Sequence, residues 1–90
     1  MRYKALVTID LPGATDVQRK EFYKELEKRN WEKLNKLTTA WKASKDGISR
    51  TRAIDELIRD LNAAKQISRV SKVEFALQLD VEQIFVQTLN

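Results

Sequence analysis

Strict two-residue alternation opens and closes this chain, and two stretches of helical periodicity lie between. Tyr3, Ala5, Val7 and Ile9 alternate with Lys4, Leu6, Thr8 and Asp10, which predicts a strand inside a sheet because the second face is also partly apolar. Near the other end Val73, Phe75, Leu77 and Leu79 alternate with Glu74, Ala76, Gln78 and Asp80. Ile84, Val86 and Thr88 then alternate with Phe85, Gln87 and Leu89. A tight turn at Asp80–Glu82 joins these runs into a terminal hairpin. A chain with strands at both ends and helices between them has few ways to bury its apolar faces. The simplest lays both helices on one side of a sheet.

The first strand stops at Pro12-Gly13, since Pro12 has no amide hydrogen to donate and Gly13 tolerates unusual dihedrals. Thr15 followed by Gln18 has the spacing of a capping box, and Asp16 adds a negative charge in the first turn. Val17, Phe22, Tyr23 and Leu26 form the stripe of a helix running from about residue 16 to 30. Residues 31–44 fit two patterns. Trp31, Leu34, Leu37 and Trp41 would continue the helix, whereas Leu37, Thr39, Trp41 and Ala43 alternate as in a strand. The Thr38-Thr39 pair and Trp41 favour a strand over residues 36–44. Asp46-Gly47 then makes a turn, with residues 48–50 as a short returning edge. Ile54, Leu57, Ile58, Leu61 and Ala64 mark a second helix, capped by Ser49 or Thr51 and ending near Ile67, with Asp55 and Glu56 in its opening turn. The order β-α-β-(β)-α-β-β predicts a single α+β domain over residues 1–90: a two-layer, ferredoxin-like sandwich with both helices on one face of a mostly antiparallel sheet.

Composition narrows the chemistry. With neither cysteine nor histidine among 90 residues, disulfides, thiolate chemistry and Ser-His-Asp systems are excluded, and carboxylates are the remaining good metal ligands. No apolar run reaches the roughly 18–20 residues of a membrane span, and the start lacks a signal-peptide layout, so a cytoplasmic protein with no membrane partner is expected. The formal charge is +4, unevenly placed. Lys28, Arg29, Lys33, Lys36, Lys42, Lys45, Arg50 and Arg52 face only Glu32 and Asp46 between positions 28 and 52. Such a run can follow a phosphate backbone, or can be a solvated basic surface. Arg29, Arg50 and Arg52 are the better phosphate ligands, since a guanidinium offers paired donors. Trp41, if exposed beside Lys42, would stack on an unpaired base. Trp31, Tyr3 and Tyr23 read better as core.

The element order, the opening LVTIDLP with its terminal Asp10, the helix ending in RNW and the strand-like LTTAWKAS give the chain a resemblance. It is similar to the ferredoxin-like superfamily that holds GhoS-type antitoxins of type V toxin–antitoxin pairs and the small nuclease-like subunit of CRISPR adaptation complexes. The resemblance implies homodimers joined through sheets or terminal strands. It also implies a shared divalent metal at an aspartate ending the first strand, matched here by Asp10 alone, and endoribonuclease activity on toxin messenger RNA. The middle hairpin, KASKDGISR, is shorter than in relatives, which departs from the pattern.

Asp10 therefore has two readings. As a catalytic and metal-binding residue, two copies across a dimer axis would hold one Mg²⁺ that orients a hydroxide for attack on a phosphodiester. As a structural residue, it begins the Leu-Pro-Gly turn by accepting from nearby amides. The terminal IFVQTL, apolar on both faces, is either covered within the subunit or pairs with a second copy. The expected function is a dimeric RNA-binding protein with metal-dependent endoribonuclease activity. The alternatives are a non-catalytic nucleic-acid-binding or protein-interaction module of the same fold, and a ribbon–helix–helix repressor, which would leave the alternation of residues 73–89 unexplained.

Overall fold

A computed structural model describes residues 2–34, 39–47, 49–81 and 88–89. The elements in chain order are β1 (Arg2–Asp10), α1 (Asp16–Lys28), β2 (Glu32–Lys33), β3 (Ala40–Asp46), α2 (Arg50–Ser68) and β4 (Glu74–Asp80). The strands form one sheet in the order β2-β3-β1-β4, with every neighbouring pair antiparallel. This is the ferredoxin-like α+β sandwich that the alternation of periods predicts. β1 lies at the centre, paired along its length with β3 on one side and β4 on the other. Its odd positions Ala5, Val7 and Ile9 are buried under the helices, together with Trp41 and Ala43 of β3.

The helix ends follow from local chemistry. At the start of α1 the Thr15 hydroxyl accepts from the Gln18 amide at 3.1 Å, while the Gln18 side chain accepts from the Thr15 amide at 3.0 Å. The capping box satisfies two amides that the helix itself cannot. α1 stops at Lys28, two residues before the expected end, because Asn30 takes the left-handed conformation at φ 69°. The Trp31 amide then donates back to the Leu26 carbonyl at 3.0 Å, in the manner of a left-handed C-cap. α2 is capped by Ser49, whose hydroxyl accepts from the Arg52 amide at 3.2 Å, and ends where Arg69 turns left-handed at φ 63°.

Several expectations are corrected. The middle strand, expected over residues 36–44, starts at Ala40 after a turn at Thr39 and runs on to Asp46, residues 36–38 lying outside the described residues, and the short arm of its hairpin is β2, which precedes it. Trp31 ends its helical role at the left-handed Asn30, so the segment after it is free to enter the sheet. Arg50 begins α2 and is no returning edge; Asp46 belongs to the strand. Because α2 starts at Arg50, Asp55 and Glu56 fall beyond its opening turn, which holds no acidic residue. The expected strand over residues 84–88 lies outside the described residues, except for Thr88, which is in no strand.

The core joins the two layers. Trp41, Phe22, Ile9, Leu11, Leu26, Leu57 and Val7 are its largest fully buried side chains. Each removes enough apolar surface from water to contribute about 1.5–3 kcal/mol. Tyr23 of α1 packs on Trp41 with ring centroids 5.3 Å apart, fixing α1 over the β3 side of the sheet.

Candidate nucleic-acid interface

The sequence-predicted basic residues separate into engaged and free groups. Asp60 explains much of the division. It lies on the apolar stripe of α2, between Leu57 and Leu61, and is only 6% exposed. Its carboxylate accepts from Lys45 Nζ at 2.8 Å, from the Trp31 indole N–H at 2.9 Å and from Arg29 at 3.2 Å. Arg29 also donates to Glu25 at 2.9 Å. Burial pushes the Asp60 carboxyl up. Hydrogen bonds from Lys45 and Trp31, the Lys45 charge and the Arg29 contact outweigh that and hold it below its ordinary value. Arg29 and Lys45 are thus anchors of a buried polar network. The Glu25 hydrogen bond is the first cause raising the Arg29 pKa.

Of the others, Lys42 pairs with Glu32 at 3.3 Å, and Lys33 Nζ lies 5.5 Å from the Tyr23 ring centroid. Arg50 turns one guanidinium nitrogen onto the Leu79 carbonyl at 2.7 Å, covering an outward backbone group of β4. Lys36 lies outside the described residues. Lys28 and Arg52 are exposed, and neither has a carboxylate partner among the described residues. Trp41 offers no stacking surface: its position on the helix-covered face of β3 leaves it fully buried. Its indole nitrogen has no hydrogen-bond partner among the described residues.

α1 lies antiparallel to α2, with Gln18 on the Arg69 carbonyl and Arg29 on Asp60, so its last turn, with Lys28, sits beside the middle of α2, about 15 Å along from Arg50. α2 starts where β3 ends, and that end of the sandwich carries Arg50 and Arg52, with Arg2 held by Asp46 at 3.4 Å. The uncovered sheet face has the opposite character. By register, Arg2, Lys4 and Lys42 share it with Asp10, Glu32, Asp46, Glu74 and Asp80. Among the described residues, three cations against five carboxylates do not attract a polyanion, so the basic end is the candidate interface.

Asp10 stands exposed at the end of β1, directly opposite Glu74 of β4. Both line a shallow groove of about 570 Å³ with Thr8, Thr39 and Phe75. The turn after it closes without the Asp10 side chain. The Ala14 amide donates to the Leu11 carbonyl at 3.2 Å, with Gly13 at φ 74°, the layout in which Pro and Gly occupy the two central positions. Glu74 is the partner that sequence reasoning missed; its period-two position in the final run was the available signal. The pair fits a hard divalent ion that keeps most of its water, although Glu74 also binds Lys72 at 3.1 Å. No group of three or more His, Cys, Asp or Glu side chains that could hold a metal gathers among the described residues. Nor is any helix among them long and apolar enough to cross a membrane.

No protein-family model matches the sequence, and no curated protein matches it. A solved structure does: protein SP2199 from Streptococcus pneumoniae, determined by X-ray crystallography. It superposes with a TM-score of 0.55 at 16% identity, covering 93% of this chain and 90% of that one. The likeness is one of fold, extending over nearly the whole domain.

Proposed function

We propose that this chain is a small cytoplasmic nucleic-acid-binding protein that acts as a homodimer, in the manner of the GhoS-type antitoxins it resembles. One observation carries the reading. The opening turn of α2 holds Arg50 and Arg52 and no acidic residue, although a helix N-terminus favours negative charge and disfavours cations. An anionic ligand removes that conflict, since phosphate oxygens are attracted by the guanidinium groups and by the helix end together. Lys28, exposed at the end of α1, adds a further cation about 15 Å along α2 from that turn, within the span of one RNA strand. RNA is the ligand implied by the resemblance. The test is fluorescence anisotropy of a labelled RNA 20-mer at low salt, with wild type beside Lys28→Gln/Arg52→Gln. Neither side chain holds a hydrogen bond or ion pair among the described residues, so the double variant should fold normally and bind about tenfold or more weakly. Equal affinity in both proteins would sink the proposal.

A second reading, metal-dependent RNA cleavage at Asp10, is favoured by the carboxylate of Glu74 opposite it. A bound Mg²⁺ would supply Lewis acidity and a lowered water pKa. Asp10 and Glu74 would hold it, and Thr8 and Thr39 would line the approach. Cleavage of end-labelled RNA with Mg²⁺, absent with EDTA and in Asp10→Asn, is the expected pattern. RNA intact in every lane would leave the binding function alone.

A further inference from the structure

One long edge of the sheet stands open. Among the described residues no strand pairs with the outer side of β4. The Ile9 amide donates to the Thr39 carbonyl at 3.0 Å, so Ala5, Val7 and Ile9 turn their backbone groups toward β3. Lys4, Leu6 and Thr8 turn theirs toward β4, where Asp80, Gln78 and Ala76 stand opposite and are bonded inward. Phe75, Leu77 and Leu79 therefore point their amides and carbonyls outward. Among the described residues only the Leu79 carbonyl is covered, by Arg50 at 2.7 Å. Exposed edges are ordinarily blunted by lysine, proline or a bulge. The strand EFALQLD has neither residue, and its register against β1 runs unbroken.

The side chains along this edge are apolar on one face and charged on the other. On the helix-covered face Phe75 is 42% exposed, and Val73 and Leu77 are half-buried. Ile54 and Ile58 follow Arg50 at four-residue steps, on the side of α2 that Arg50 brings over β4, and Ile58 is exposed as well. On the other face Glu74 and Asp80 flank Ala76 and Gln78, with Lys72 two residues before the strand. Those carboxylates repel a phosphate backbone, so this edge suits a protein strand and not RNA. Together with Lys72 they are self-complementary in one antiparallel register. A two-fold axis at Ala76 sets Lys72 of each copy against Asp80 of the other, and Glu74 against Gln78. An axis at Leu77 would set Glu74 against Asp80 twice, and like charges directly opposite are destabilising.

We infer that two copies of this chain join edge to edge through β4, antiparallel and centred on Ala76, so that the four described strands of each copy form one continuous sheet with the helices on a single side. Phe75 of each copy exchanges both backbone bonds with Leu77 of the other, and these apolar pairs lie on the helix side. Ala76 meets its twin in a non-hydrogen-bonded pair, about 4.5 Å apart at Cα, where a small side chain fits. The same patch serves both copies, so the contact closes at two. This inference rests on the homodimer reading above, to which it gives a surface and a register, and not on RNA as the ligand.

The test is sedimentation velocity over a concentration series, giving the dimer Kd of wild type, Lys72→Glu, Asp80→Lys and the double variant Lys72→Glu/Asp80→Lys, with thermal melts beside each. Both positions are exposed, so the variants should fold. Each single reversal turns two attractive pairs into two repulsive ones and should weaken the dimer about fivefold or more. The double variant restores both pairs with the charges exchanged, and should return to within about threefold of wild type. The chain has no cysteine, so Ala76→Cys reads the axis directly. Cα atoms about 4.5 Å apart lie within disulfide range, and mild oxidation should link two copies of a protein that still melts cooperatively. Ser44→Cys, exposed on β3 away from this edge, should not link. A dimer unaffected by both single reversals, or Ala76→Cys linking no faster than Ser44→Cys, would overturn the inference while leaving a homodimer built on another surface. A wild-type protein monomeric at every concentration would remove this inference and the homodimer reading together.

Discussion

Replacing Asp60 by Asn should be among the most damaging single changes in this protein. The carboxylate accepts three hydrogen bonds, from Lys45 at 2.8 Å, Trp31 at 2.9 Å and Arg29 at 3.2 Å. Hydrogen bonds involving charged groups contribute about 1.5–3 kcal/mol each, but their sum overstates the loss. Arg29 keeps Glu25 at 2.9 Å and is about a third exposed, and Lys45 retains some access to water. The substitution also leaves one amide oxygen to accept and places an amide N–H₂ against a cation. Removing one partner of a buried ion pair costs about 3–5 kcal/mol, and the partial escape of both cations places this site near the lower end. A loss of about 3 kcal/mol lowers Tm by roughly 12–24 °C in a domain of this size. Urea unfolding followed by circular dichroism, with thermal melts alongside, measures both quantities. A loss below about 1 kcal/mol would refute the network as a central support of the α1–α2 arrangement. The pH dependence supplies a second check. The Asp60 carboxyl is held below its ordinary value of 3.8, so its contribution is present above that pH. It is lost as pH falls through the lower folded-state value. The stability gap between wild type and Asp60→Asn should therefore be constant near neutrality and close progressively below about pH 4.

Three further outcomes are expected. Ser49→Ala, which removes the cap on the Arg52 amide, should cost about 1 kcal/mol in urea unfolding. Trp41→Phe should cost far less than the 3–5 kcal/mol of a Trp→Ala truncation, because the indole N–H it deletes is buried without a partner. A loss equal to that of Trp41→Ala would contradict this. Asp10→Asn should leave Tm unchanged or slightly higher, because it relieves two carboxylates facing across β1 and β4 and the turn closes without that side chain. A marked fall in Tm would restore its structural role.

The fold was largely legible because its elements carry strong periods. Ala5, Val7 and Ile9 alternate as they are buried, Leu57, Leu61 and Ala64 keep helical spacing, and Thr15 with Gln18 forms the capping box its spacing implies. Residues 31–44 were harder to read because Trp31 and Trp41 suit a helix stripe and a strand equally. A left-handed residue, Asn30, decided between them, and a positive φ at a non-glycine leaves little trace in sequence. The basic run was legible as charge but not as surface. Arg29 and Lys45 are drawn inward by Asp60, 31 and 15 positions away along the chain, and only the tertiary fold brings them together. A signal was nonetheless present: a carboxylate at the 57–60–61–64 spacing of an apolar stripe requires buried partners.

The most direct test of the central claim is the salt dependence of wild-type binding to the labelled single-stranded RNA 20-mer between about 50 and 200 mM salt. With Lys28, Arg50 and Arg52 each neutralising one phosphate, log K should fall against log[salt] with a slope of about −2.1, at about 0.7 per phosphate. A flat line, or no binding at the lowest salt by a protein shown to be folded, would contradict a basic end built to hold phosphates.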